Sequence, residues 1–144
     1  MIDQNFYKNT GPYSLNKISE MLSCKYIGNG DLSLNDISTL DVAKEDELSF
    51  YNNSKYSDAY MNSSAGVILV SNELRTGRAS NLILCEDPYF MMAKAASIFY
   101  PNSIYPNFSF SNKAKNLNLD ESVKISENTF IHKDAKIGKN CEIG

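Results

Sequence analysis

The 144-residue chain contains no tryptophan, one histidine, four prolines, seven glycines and three cysteines. Each scarcity removes a class of function. Cys24, Cys85 and Cys141 are odd in number, far apart and lack a C-x-x-C pair, which argues against a disulfide framework and against a zinc site. They are expected to be buried free thiols. One histidine cannot build a histidine-rich metal cluster, and no glycine pattern of the phosphate-loop kind occurs. Neither a metal nor a cofactor is therefore expected. Fourteen basic and seventeen acidic residues give a formal net charge of −3. Without a basic cluster, there is no electrostatic case for nucleic acid or an anionic membrane as partner. The longest apolar run, Ala65 to Val70, is far short of a bilayer span, and the polar start Met1-Ile2-Asp3-Gln4 has no signal-peptide core. The chain reads as cytoplasmic, with no stable membrane insertion.

What the sequence does contain is a strict period of six near its end. Leu119, Ile125, Ile131, Ile137 and Ile143 recur at that spacing, and Val123, Thr129, Ala135 and Cys141 each follow four residues later. Helical faces repeat at 3.6 residues and strands at 2, so this period predicts a solenoid in which each flat face uses one hexapeptide. Three hexapeptides make one triangular coil, so residues 119–144 hold about one and a half coils. Ile143-Gly144 opens a new hexapeptide like Ile137-Gly138, so a truncated β-helix is expected.

Residues 1–100 read as one α/β domain. Ser14 is a suitable N-cap for a helix with Leu15, Ile18 and Leu22 on its apolar face, and Gly28-Asn29-Gly30 supplies a turn into an alternating run at Leu32 and Leu34. Leu48 to Tyr51 reads as a strand, Lys55 to Met61 as a short helix and Gly66 to Val70 as a buried strand, a β-α-β unit. A further strand at Leu82 to Cys85 leads to Asp87-Pro88, an N-cap followed by proline at the first helical position. That helix should run to about Tyr100, with Tyr89, Met92, Ala96 and Phe99 on one face, and Pro101 bars its continuation. Strands alternating with helices favour parallel pairing. Residues 101–118, rich in asparagine and serine, read as a connector.

The candidate binding cluster lies where the strand of the β-α-β unit meets its helix. Phe50, Asn53 and Tyr56 are three apart, and ligands of parallel α/β folds collect at the carboxyl ends of strands. Two aromatic faces can sandwich a planar base while an amide, with one acceptor and two donors, reads its edge. The same spacing also fits a strand core residue, a helix cap and a packing residue, and spacing alone leaves both readings open. Lys55 reads as solvated charge, as do Asp41, Asp46 and Glu47. His132 occupies the second position of a hexapeptide, which suits a corner residue rather than a general base.

The order of these features resembles the UDP-3-O-acylglucosamine N-acyltransferase family of lipid A biosynthesis. The resemblance rests on Ser14-Leu15, Ala43-Lys44-Glu45-Asp46-Glu47-Leu48-Ser49-Phe50, Asn53-Ser54-Lys55-Tyr56, Ser64-Ala65-Gly66-Val67-Ile68-Leu69-Val70, Asp87-Pro88-Tyr89 and the hexapeptides. It implies a uridine-binding α/β domain followed by a left-handed parallel β-helix, an exception to the usual right-handed crossover. It also implies Phe50 and Tyr56 stacking on uracil with Asn53 on the base edge, and assembly as a homotrimer. The implied reaction moves a 3-hydroxyacyl group from acyl carrier protein to the 2-amino group of UDP-3-O-acylglucosamine, with a β-helix histidine as base. His132 does not match that motif, so no catalytic residue is assigned here and the fragment is expected to be inactive. Where the family enters its repeats through glycine-histidine-proline, this chain has Ser109-Phe110-Ser111-Asn112-Lys113-Ala114. Another hexapeptide acyltransferase or sugar-nucleotide transferase would prefer adenine or coenzyme A, and a solenoid scaffold would bind no nucleotide.

Overall fold

The computed structural model describes residues 7–77, 81–101, 119–127, 129–131 and 135–144. His132 and, beyond Pro101, the expected connector lie outside the described residues. The chain divides into two compact units, Met1–Ile104 and Tyr105–Gly144.

In the first unit, β1 (Tyr13–Ser14) pairs antiparallel with β3 (Ser33–Leu34). Ser14 is extended, at φ −72° and ψ 155°, and its hydroxyl accepts from the Lys17 N–H at 3.2 Å. That bond satisfies one of the orphan donors of α1 (Leu15–Leu22), whose Leu15, Ile18 and Leu22 are buried as their spacing anticipates. Ser23 ends the helix in the left-handed region at φ 55°, returning its N–H to Glu20.

Five strands form the central sheet: β2 (Lys25–Ile27), β4 (Asp36–Ile37), β5 (Glu47–Tyr51), β6 (Val67–Val70) and β7 (Asn81–Leu84). Their order is β2-β7-β6-β5-β4. The last four run parallel, with Phe50 opposite Leu69 and Tyr51 opposite Val70, while β2 adds antiparallel to β7 at the edge. Every residue of β2 is exposed, so it carries no hydrophobic alternation from which a strand could be read.

The pleat divides the core into two layers. Leu48, Val67, Leu69 and Ile83 pack with Leu15, Ile18 and Leu22 of α1 and with Ala95 and Phe99 of α3 (Pro88–Phe99). Tyr51, Ile68, Val70 and Leu82 pack on the opposite side with Leu40, Ala43 and Tyr60, the last from α2 (Ser57–Asn62). All four residues of β6 are buried, as a parallel strand covered on both faces requires. Each such aliphatic side chain stabilises the fold by roughly 2 kcal/mol.

Asp87 caps α3 by accepting from the Phe90 N–H at 2.9 Å, and Pro88 takes the first helical position. The face expected for α3 needs correction in part. Phe99 is buried and Met92 packs against the core, but Ala95 rather than Ala96 is the buried alanine, and Tyr89 is 66% exposed. The first turn overhangs the carboxyl end of the sheet, so Tyr89 meets Phe50 rather than the core. A second correction concerns the thiols: Cys24, Cys85 and Cys141 are free but only half-buried. Among the described residues, no helix is long and apolar enough to cross a membrane.

In the second unit, β8 (Lys124–Ile125) and β9 (Glu142–Ile143) pair parallel, with Ile125 opposite Ile143. Those partners are three hexapeptides apart in sequence. The Lys124 N–H donates to Cys141 O and the Ser126 N–H to Ile143 O, both at 2.9 Å. A side-chain bond repeats the offset, the Asn140 N–H donating to Ser122 Oγ at 2.8 Å. Asn140 turns its corner at φ 59°, a conformation asparagine tolerates better than most residues.

Candidate functional site

At Tyr51 the chain leaves β5 and passes through Asn52 and Asn53 into a single 3-10 turn, Ser54–Tyr56, before α2. Asn53 is extended, at φ −149° and ψ 130°, and serves as its cap. Its side-chain Oδ1 accepts from the Lys55 N–H, and its main-chain carbonyl accepts from the Tyr56 N–H, each at 3.0 Å. The turn so capped carries Tyr56 at its end.

Phe50, Asn53 and Tyr56 line one open cleft of about 460 Å³, together with Thr39, Leu40, Asp41, Tyr51, Asn52, Ala59 and Tyr89. The location is the carboxyl end of β5, where an α/β sheet offers a crevice for ligands. Phe50 is half-buried against the α1/α3 layer, and Tyr56 is 57% exposed. Asn53 is both the helix cap of the plainer reading and part of the cleft wall. The structure thus brings the three residues together without separating their two roles.

Sequence spacing missed several of the lining residues. Tyr89 meets Phe50 edge to face, with ring centroids 5.8 Å apart and planes inclined 63°. Its only local signal is the Asp87-Pro88 helix start, which puts it one position into α3. Tyr51 forms the floor, stacked on buried Tyr60 at 4.4 Å with the rings nearly parallel. Thr39, Leu40 and Asp41 come from the loop joining β4 to β5. That loop is tied down by the Ala43 N–H to Thr39 O at 3.0 Å and by the Gly66 N–H to both Lys44 O and Glu47 O at 3.1 Å.

The wall is mainly aromatic, with a carboxylate at Asp41 and amides at Asn52 and Asn53. Lys55 does not line it. Such a lining suits the flat, largely neutral end of a ligand: rings supply stacking area, and an amide supplies a directional donor and acceptor. Among the described residues, no three His, Cys, Asp or Glu side chains converge as metal ligands would.

Residues 31–98 match the family model described as UDP-3-O-(3-hydroxymyristoyl) glucosamine N-acyltransferase, LpxD. The UDP-3-O-acylglucosamine N-acyltransferase of Ruthia magnifica is 28% identical over 129 residues, covering 90% of this chain and 37% of that protein. The enzyme of the same name from Neisseria meningitidis serogroup B is 31% identical over 135 residues, covering 90% and 38%. That of Rickettsia conorii is 34% identical over 113 residues, covering 74% and 32%. The chain thus spans about a third of the length of these curated relatives. The cleft-forming strand, 3-10 turn and first turns of α3 all fall inside the stretch matched by the family model, and through that stretch the chain belongs to the UDP-3-O-acylglucosamine N-acyltransferase family.

Proposed function

We propose that the first unit is a uridine-binding domain that holds the nucleotide end of UDP-3-O-acylglucosamine. The observation that carries this reading is the convergence of Phe50, Asn53 and Tyr56 on one cleft at the carboxyl end of β5, in a chain of this family. Phe50 and Tyr56 stack on the two faces of uracil. Asn53 reads its edge, and Asp41, at the same cleft, is an acceptor suited to ribose hydroxyls rather than to phosphate.

The reaction assigned to the whole protein is transfer of a 3-hydroxyacyl group from acyl carrier protein to the 2-amino group of the sugar, in cytoplasmic lipid A synthesis. The amine must lose a proton as it attacks the thioester, which calls for a base near neutrality. His132 is the one histidine in the sequence, and its place in an early hexapeptide does not suit that role. The 144 residues accordingly bind without turning over. Residues 119–144 are the first hexapeptides of a left-handed β-helix, a reading supported by the eighteen-residue offset of Ile125 and Ile143, and the helix is the axis of a homotrimer.

Isothermal titration with UDP-N-acetylglucosamine tests the binding claim. Saturable binding to the wild type, lost in Phe50→Ala combined with Asn53→Ala, is expected; binding untouched by that double change would overturn it. Acyl transfer from a 3-hydroxyacyl carrier protein by these residues alone would overturn the claim of inactivity.

A further inference from the structure

We propose that the backbone amide of Lys55 fixes the sense of the Asn53 side chain and so makes the cleft selective for uracil over cytosine. This deepens the uridine reading and rests on it. A free asparagine is ambivalent: rotating its amide by half a turn exchanges donor and acceptor, so it can meet the edge of either pyrimidine. Asn53 is not free. The Lys55 N–H, which has no helical partner because it lies in the first turn, donates to Oδ1 at 3.0 Å. A flipped amide would set Nδ2 against that N–H, donor against donor, and lose the bond.

Oδ1 therefore keeps one lone pair for the ligand, and Nδ2 keeps both its protons, having no partner among the described residues. The edge Asn53 presents is an acceptor beside a donor in a fixed order. Uracil, held in register by its ribose and by the stack on Phe50 and Tyr56, offers O4 to the Nδ2 proton and its N3–H to Oδ1. Cytosine in the same register offers an amino group where a carbonyl is needed and a bare nitrogen where an N–H is needed. Both contacts become repulsive, and the pinned amide cannot turn to rescue them.

Lys55 is a positioning residue that acts through its main chain, and its side chain, outside the cleft lining, is dispensable. Dissociation constants for UMP and CMP, measured on the same samples, read this out as a ratio that general damage to the fold would leave alone. The wild type should favour UMP by roughly tenfold or more, and Lys55→Ala, which keeps the N–H, should match it. Lys55→Pro removes the N–H. It should bring the ratio toward one by tightening CMP, with UMP within about threefold of wild type. Asn53→Asp keeps the acceptor for Lys55 but replaces the donor, and should abolish the preference by weakening UMP.

A wild-type ratio retained in Lys55→Pro would overturn the proposal, as would equal binding of UMP and CMP by the wild type, with the uridine-domain reading left standing. Failure of the wild type to bind either nucleotide would overturn both readings together. Should Lys55→Pro not fold, amide hydrogen exchange tests the same bond. The Lys55 N–H should be protected in wild type and in Asn53→Asp and should lose protection in Asn53→Ala; an unprotected Lys55 amide in the wild type would overturn the proposal.

Discussion

Tyr89 in the first turn of α3 meets Phe50 near the end of β5 edge to face, at 5.8 Å between ring centroids. The contact joins two segments 39 residues apart and braces the ring proposed to carry the base. Base stacking on an aromatic side chain is worth about 1–3 kcal/mol. Phe50→Ala should therefore weaken UMP binding by roughly tenfold to a hundredfold, and Tyr89→Ala, through loss of an aromatic pair worth about 1 kcal/mol, by roughly fivefold. Calorimetric titration of both variants checks the order.

Gly66 stands where β6 begins and the β4–β5 loop closes beneath it. A Cβ there would collide with the Glu45 carbonyl oxygen and lie 2.8 Å from the Glu45 carbonyl carbon. The obstacle is backbone, which cannot swing aside as a side chain can. Gly66→Ala should lower stability by about 1–3 kcal/mol, measured by urea unfolding, and should weaken UMP binding because the displaced loop carries Thr39, Leu40 and Asp41.

Tyr100 is buried at the end of α3, where its hydroxyl donates to Asp36 Oδ1 at 2.5 Å and accepts from Asn9 Nδ2 at 3.2 Å. Burial, and then the Asp36 carboxylate, push the phenol from 10.0 up to about 12. Because the folded state holds this proton more tightly, its stabilising effect is complete below the unfolded value near 10 and is lost as pH rises toward 12. Tyr100→Phe should cost about 1–2 kcal/mol at pH 7 and show a flatter loss of stability between pH 10 and 12. Urea midpoints across that window measure the difference.

Burial also governs Cys85. It raises the thiol from 9.0 to about 12, with smaller contributions in the same direction from Cys24 and Asp87. Only the thiolate is an effective nucleophile. At pH 8, Cys85 of the folded protein should react with iodoacetamide on the order of a hundredfold more slowly than in urea, as peptide mass analysis of time points would show.

Much of the first unit is legible in the sequence because its signals are local. Ser14 and Asp87 announce helix starts through cap chemistry, and Leu15, Ile18 and Leu22 keep a helical period that burial respects. The spacing of Phe50, Asn53 and Tyr56 becomes a shared cleft because the chain leaves β5 through an extended Asn53 and folds straight into a short 3-10 turn that ends at Tyr56. Other features depend on where distant segments pack. Tyr89 looks like a core residue until α3 is laid over β5, where it becomes a wall of the cleft. The strand Lys25–Ile27 is exposed throughout and exists only because β7 offers it an edge. Asp41, read as solvated loop charge, reaches the cleft through main-chain bonds that tether its loop, and no residue-type pattern encodes those.

The most direct test of the proposed uridine binding is an NMR titration of labelled protein with UDP-N-acetylglucosamine, with CMP as control. Uridine binding at this cleft predicts saturable shifts for the uridine ligand at Phe50, Asn53 and Tyr56, extending to Tyr89, and little response to CMP. Shifts centred elsewhere, or a folded protein silent to the uridine ligand at millimolar concentration, would contradict it.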